Sequence, residues 1–253
     1  MTEPTEVYVY GVVPAGSEVP PGPGVGPGGP LRLIEDRDVA ALISDVPAGP
    51  LEAGRQDLER HGERLREAMA SATVLPMRFG MVMPDEARVR AELLEPHCSR
   101  LVGLLAALRG RVELRLRATY EEGAILREVL AADPRAAKLR QEVQGKSEAA
   151  TYYERIRLGE VVVEGVAAAR ERDTANMLDA LRPLADDVRV GEPPHERTVF
   201  AASFLVAEEA IGRFDDAVSA LGAAQGERMR FAYTGPLPPH SFVELDAEAP
   251  AWA

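Results

Sequence analysis

RVELRLRATY, residues 111–120, alternates without a break. Val112, Leu114, Leu116 and Ala118 fall on one side, and Arg111, Glu113, Arg115 and Arg117 on the other. Successive side chains of a strand point to opposite faces, so this stretch predicts a strand with one packed and one solvated face. The elements around it set the fold. Toward the C-terminus, a helical pattern runs from about 121 to 187, punctuated by Pro134, Gly145, Gly159 and Pro183. VRVGE (188–192) predicts a short strand before a Pro193-Pro194 turn, and RTVFAASFLVA (197–207) a long one. A helix over 208–223 opens with Glu208 and Glu209, and RMRFAYT (228–234) alternates again. Strands starting near 111, 188, 197 and 228 give the order β-α-β-β-α-β. That is the split βαβ, ferredoxin-like plan, here with a long helical insertion in the first crossover.

Toward the N-terminus, a helix over about 96–109 stops at Arg109-Gly110, and the domain boundary is drawn there. EVYVYGVV (6–13), LRLIED (31–36) and VAALISDV (39–46) read as strands, the last two joined by a tight turn at Asp36-Arg37-Asp38. Residues 14–30, PAGSEVPPGPGVGPGGP, read as an irregular linker or long loop. Residues 51–72 predict an amphipathic helix with Leu51, Leu58, Leu65 and Met69 on one stripe. TVLPMRFGMVM (73–83) predicts a strand interrupted by Pro76, and Pro84 opens a helix with Asp85 and Glu86 in its first turn. The fold class is therefore α+β in two domains: 1–110, an α+β domain, and 111–253, a modified ferredoxin-like domain with an insertion over 121–187.

Composition narrows the function. The chain has 253 residues, 46% of them hydrophobic and 28% charged, which is globular. A net charge of −12 disfavours a phosphate-backbone partner. The single cysteine, Cys98, allows no intrachain disulfide and fits a reducing compartment. MTEPTEVYVYGVV lacks a basic n-region and a long apolar h-region, so no signal peptide is expected, and no apolar run is long enough to span a bilayer.

Motifs for chemistry dissolve in their context. Gly24, Gly26 and Gly29 match GxGxxG, but LRLIED follows where a helix is required, and Pro27 and Pro30 lack the amides that cradle a pyrophosphate. Gly145-Lys146-Ser147 resembles a P-loop end, yet Arg140 stands where its first glycine belongs. His61, His97, His195 and His240 are scattered at no metal-ligand spacing, and the carboxylates cover helix faces beside arginines. Phe200 and Phe204, and Phe231 and Tyr233, share strand faces. They read as core and not as base-stacking platforms. Neither a catalytic residue nor a cofactor or metal site is expected. Arg78, inside an apolar strand, reads as a buried charge.

The chain near its end, FAYTGPLPPHSFVEL (231–245), runs from a strand into Gly235-Pro236 and Pro238-Pro239 before Phe242, Val243 and Leu245. Such a proline-rich path is extended and stiff. It predicts a hook over 235–245 that packs against the N-terminal domain near 73–80, with a partner-docking hook as the rival reading.

VYVYGVV, VAALISDV, TVLPMRFGMV, VELRLRATY and YTGPLPPHSFVEL together resemble, in order and over nearly the whole chain, the gas vesicle protein F/L family (GvpF/GvpL). TVLPMRFG (73–80) and TGPLPPHSFV (234–243) are the most specific stretches. The chain departs from the family at Leu237, where an aromatic is common, and at His240, where a tyrosine is. The resemblance implies two α+β domains, the second a modified ferredoxin-like one. It implies a minor, non-catalytic gas vesicle component that binds the small hydrophobic shell protein, with other minor gas vesicle proteins as further partners, and aids early assembly or nucleation. No nucleic acid or membrane partner is implied. The structural or partner-binding candidates are Leu75, Pro76, Arg78, Phe79, Gly235, Pro236, Leu237, Pro238, Pro239 and Phe242. The alternative is a small-molecule-sensing regulator on ferredoxin-like domains, which would need a polar pocket.

Overall fold

The computed structural model describes residues 5–49, 54–192, 195 and 197–243. These group into two compact units, 5–113 with 236–243, and 114–235. The division falls a little after the Gly110 turn, and residues 236–243, the end of the last strand and the turn after it, group with the first unit.

In the first unit, β1 (Thr5–Pro14) is the middle of an antiparallel sheet with β2 (Arg32–Asp36) and β3 (Val39–Pro47) on one side. Its β-branched and aromatic residues are buried on both faces, as a central strand requires. On its other side lie two short strands, β4 (Leu75–Pro76) and β5 (Val82–Met83), both paired with β1. The expected strand over 73–83 is thus split, but Pro76 is not the break. It pairs with Gly11 at the sheet edge, where a missing N–H costs no ladder bond. The ladder continues through Met77 N–H to the Tyr10 carbonyl (2.8 Å) and resumes with Val9 N–H to the Met81 carbonyl (2.9 Å). Arg78, Phe79 and Gly80 bulge out between them, and Gly80 takes a left-handed φ of 91°.

Helix α1 (Arg55–Met69) packs Leu65 and Ala68 onto the face carrying Tyr8, Tyr10 and Leu42. The predicted stripe is rotated: Leu58 is 54% exposed, while His61 and Arg64 are buried. Leu51 lies outside the described residues. The other face is covered by a helical run and by α3 (Cys98–Ala107). That run is α2 (Glu86–Arg88), capped by the Asp85 carboxylate, which accepts from Arg88 N–H at 2.8 Å, and it continues as a π-helical turn over Val89–Leu94. Asp85 is therefore the cap and not part of the first turn.

The Pro/Gly stretch is an ordered cap on α1, held by backbone bonds. Gly26 N–H donates to Asp57 (2.8 Å), Arg60 donates to the Gly24 and Gly26 carbonyls (3.2 and 3.1 Å), and Arg64 donates to the Pro21 carbonyl. Val25 is fully buried in the core beneath it.

In the second unit, β6 (Arg111–Tyr120), β7 (Asp187–Val190), β8 (Thr198–Ala207) and β9 (Met229–Leu237) form one sheet in the order β7-β8-β6-β9. Numbering these four strands by sequence gives 4-1-3-2, the order of a ferredoxin-like sheet. β9 runs three residues past the predicted end at Thr234. The insertion holds α4 (Glu122–Ala132), α5 (Pro134–Val143) and the 30-residue α6 (Tyr152–Leu181), whose interior contains Gly159 without a break. Helix α7 (Ile211–Gln225) places Phe214 against Phe204 (ring centroids 5.0 Å), and Phe200 and Phe204 are fully buried. Tyr233 stacks on Phe214 and donates to Asp215 at 2.6 Å. Phe200, Phe204 and Phe214 are core, whereas Phe231 and Tyr233 are only half-buried. The Pro193-Pro194 turn lies outside the described residues.

A part-buried ionic cluster ties this unit together. Arg228 donates to Glu128 (3.0 Å) and to Asp173 (2.7 Å) and lies over the Tyr120 ring, and Tyr120 donates to the same Asp173 oxygen. The carboxylates hold the Arg228 guanidinium firmly protonated, and burial pushes the Tyr120 phenol up.

Candidate functional site

His61 in α1 is the point on which distant segments of the first unit converge. Its ring stacks on Tyr10 (centroids 5.6 Å, 17°) and meets the edges of Tyr8 (5.7 Å) and Phe79 (5.6 Å). Tyr8 Oη accepts from Gly80 N–H at 3.0 Å and lies 2.9 Å from His61 Nδ1. With its acceptor side used by Gly80, the phenol donates to Nδ1, which assigns the neutral ring its proton on Nε2. Burial depresses the His61 pKa to about 4, with the nearby His240 charge acting the same way. A backbone contact with Met77 that falls short of hydrogen-bond geometry opposes both. Burial raises both phenols, Tyr8 and Tyr10, so they stay protonated donors. Tyr10 lies 3.0 Å from Ser44 Oγ and accepts from Val25 N–H at 2.7 Å. Two polar chains, Gly80–Tyr8–His61 and Val25–Tyr10–Ser44, are therefore joined by the stacked His61 and Tyr10 rings, and together they link the edge bulge, α1 and the Pro/Gly cap.

The bulge divides the sequence candidates by exposure. Leu75 and Pro76 are buried in the edge strand, Phe79 is half-buried against His61, and Arg78 is exposed. The expectation of a buried Arg78 is corrected: the bulge swings it off the ladder, away from the apolar side chains on either side of it in the sequence. At the chain end, Gly235 and Pro236 are exposed, Leu237 is half-buried, and Pro238, Pro239 and Phe242 are buried. Leu245 lies outside the described residues. A 3₁₀ turn over His240–Phe242 brings Ser241 to Glu113, which accepts from its N–H and its hydroxyl at 2.8 Å each. Glu113 is 0% exposed, the reverse of its predicted place on the solvated side of the 111–120 alternation. Sequence reasoning missed it because alternation assigns faces and does not show which residues the hook will cover.

His61 is neutral and enclosed, and Ser241 faces a carboxylate acceptor. Among the described residues no group of three or more His, Cys, Asp or Glu could hold a metal ion. In the second unit, a groove of about 370 Å³ beside α4, α5 and α6 is lined by Glu128, Val129, Asp133 and Arg172. Its charges are already engaged, Arg172 with Glu128 at 3.6 Å and Asp133 with Arg135 at 2.8 Å. No helix among the described residues is long and apolar enough to cross a membrane.

Residues 6–244 match the family model described as gas vesicle synthesis protein GvpL/GvpF. The chain is 37% identical over 248 residues to gas vesicle protein F of Streptomyces sp. (strain CB03234), covering 94% of this chain and 99% of that protein. It is 38% identical to gas vesicle protein L of the same strain, over 46% of this chain and 48% of that one. The crystal structure of GvpF from Anabaena sp. PCC7120 superposes with a TM-score of 0.83 at 25% identity, covering 96% of this chain and 99% of that chain. A match over nearly every residue, together with a shared mixed helix-and-sheet fold, makes this chain a member of the GvpL/GvpF family of gas vesicle synthesis proteins.

Proposed function

We propose that this protein is a non-catalytic assembly factor of the gas vesicle, which binds the small hydrophobic shell protein, keeps it from aggregating and aids early assembly or nucleation. The observation that carries this reading is a convergence. The two most family-like stretches, 73–80 and all of 234–243 but its first two residues, fall in one compact unit, where Phe79 makes ring contact with His61 and Ser241 is held by Glu113. The bulge lies on the outermost strand of its sheet, and edges are where an extended apolar segment can be accepted. The bulge and Pro76 interrupt that edge, which protects it against indiscriminate pairing. The hook, fixed to Glu113, keeps the surface in shape. An acidic chain of net charge −12 would hold an apolar shell subunit dispersed.

Co-expression with the shell protein, scored by how much shell protein stays soluble and co-purifies, tests the reading. Arg78→Glu should lower recovery while the free protein still folds and melts cooperatively. Equal recovery with and without this chain would defeat the proposal. The regulator reading gains no support from the groove beside α4, α5 and α6, whose charged rim is internally paired. A second groove of about 430 Å³ on α1, lined by Gln56, Glu59, Arg60, Glu63 and Arg66, has Glu59 engaged with Arg55, Glu63 with Arg64, and Arg60 with the Gly24 and Gly26 carbonyls.

A further inference from the structure

The sheet of the second unit has two faces, and within 114–235 alternation tells them apart. Leu114, Leu116, Ala118 and Tyr120 of β6 are buried, and Tyr120 reaches Asp173 on α6. Phe204 of β8 and Tyr233 of β9 both meet Phe214 of α7. These residues mark the face that packs on helices. The other face carries the odd-numbered residues of β6 and β8 and the even-numbered residues of β9. Asp187 and Arg189 of β7 belong to it too, since they pair with Leu205 and Ser203.

Charge on that second face is the reverse of the chain's. The chain has 41 acidic and 29 basic side chains. Within 114–235 the face carries Arg115, Arg117, Arg189 and Arg230, all exposed, and among the described residues of its strands Asp187 is the one carboxylate. Asp187 lies 3.5 Å from Arg189, and Glu121, just past the end of β6, pairs with Arg230. In these pairs the Arg189 and Arg230 side chains remain 50% and 81% exposed, so the contacts are weak and exchangeable.

The chemistry of the face selects its occupant. Every cation on it is an arginine, whose planar fork matches a carboxylate in a bidentate pair. No aromatic stands on it, so nucleic-acid bases would find no stacking platform. At physiological ionic strength charges are screened beyond about 8 Å. A short acidic segment therefore responds to the local arginines, whereas a long polyanion or an anionic bilayer also meets the net charge of −12. We propose that this sheet face binds a short acidic polypeptide segment of a partner protein, its Asp and Glu carboxylates taken by Arg115, Arg117, Arg189 and Arg230. The proposal is independent of whether the chain binds the shell protein.

Fluorescence anisotropy of a short labelled oligoglutamate peptide, titrated with the full chain at low and at physiological salt, tests it, with a thermal melt of each variant to show that it folds. The wild type should bind, and less tightly as salt rises. Arg115→Glu/Arg117→Glu should weaken binding about tenfold or more, and Arg189→Glu/Arg230→Glu on the flanking strands should do the same. Arg115→Lys/Arg117→Lys keeps the charge but loses the forks, and should bind less tightly than the wild type. Arg55→Glu/Arg66→Glu makes the same change of net charge in the first unit and should alter binding by less than about twofold. A wild type that ignores the peptide at low salt, or an equal loss in Arg55→Glu/Arg66→Glu, would overturn the proposal. So would tighter binding of oligothymidylate or of phosphatidylserine vesicles than of the peptide, which would make the occupant a nucleic acid or a membrane.

Discussion

Ser241 gives both its backbone N–H and its hydroxyl to the Glu113 carboxylate, at 2.8 Å each. The two residues stand 128 positions apart, and Glu113 is fully buried. The hook is thus anchored by a charge-assisted pair of bonds as well as by the burial of Pro238, Pro239 and Phe242.

Glu113→Ala should destabilise the protein by about 1–3 kcal/mol, since it leaves the Ser241 donors without their acceptor. Ser241→Ala removes only the hydroxyl bond and should cost about 1 kcal/mol. Urea unfolding of both variants checks the order, and limited proteolysis should cleave the Glu113→Ala hook faster than the wild-type hook.

His61 makes stability depend on pH. Its pKa falls from an ordinary 6.5 to about 4 in the folded protein, chiefly through burial. Between these values the unfolded chain binds the extra proton. The His61 contribution is therefore complete above about 6.5 and is lost as pH falls toward 4. From pH 7 to pH 5 it amounts to about 2 kcal/mol. Urea midpoints of wild type and His61→Gln across that range measure it, and the variant should show a shallower loss by that amount.

Two glycines predict opposite outcomes. A Cβ at Gly28 would lie 2.5 Å from the Val25 carbonyl oxygen and 2.6 Å from that of Asp45. Backbone cannot yield cheaply, so Gly28→Ala should cost about 1–3 kcal/mol, the usual penalty of overpacking. Gly103 in α3 meets nothing within 4 Å, so Gly103→Ala should stabilise by up to about 1 kcal/mol through helix propensity. Paired thermal melts decide both.

The strands were legible where periodicity is the dominant physics. Val112 to Ala118 and the run 6–13 declare themselves by alternation and by β-branched content, and the four strands from 111 onward implied the sheet order found. Positions set by long-range polar contacts were not legible. Leu58 faces solvent because α1 turns His61 and Arg64 inward to meet Tyr8 and the Pro/Gly cap. Residues 14–30 look like a linker by composition, but their carbonyls and amides are bound by Asp57, Arg60 and Arg64. Those three residues recur at helical spacing on α1, a signal that sequence alone could have offered. Gly159 looks like a helix stop, yet a long helix absorbs one glycine at a cost of about 1 kcal/mol. Arg78 looks buried because its neighbours are apolar, and the bulge carries it out.

The assembly role is tested most directly by co-expressing this chain with the small gas vesicle shell protein and measuring the fraction of shell protein that stays soluble and bound. The account predicts that soluble shell protein rises and co-purifies with the wild type, and that Arg78→Glu, though folded, recovers less. Shell protein that remains insoluble and unbound beside folded wild-type chain would contradict it.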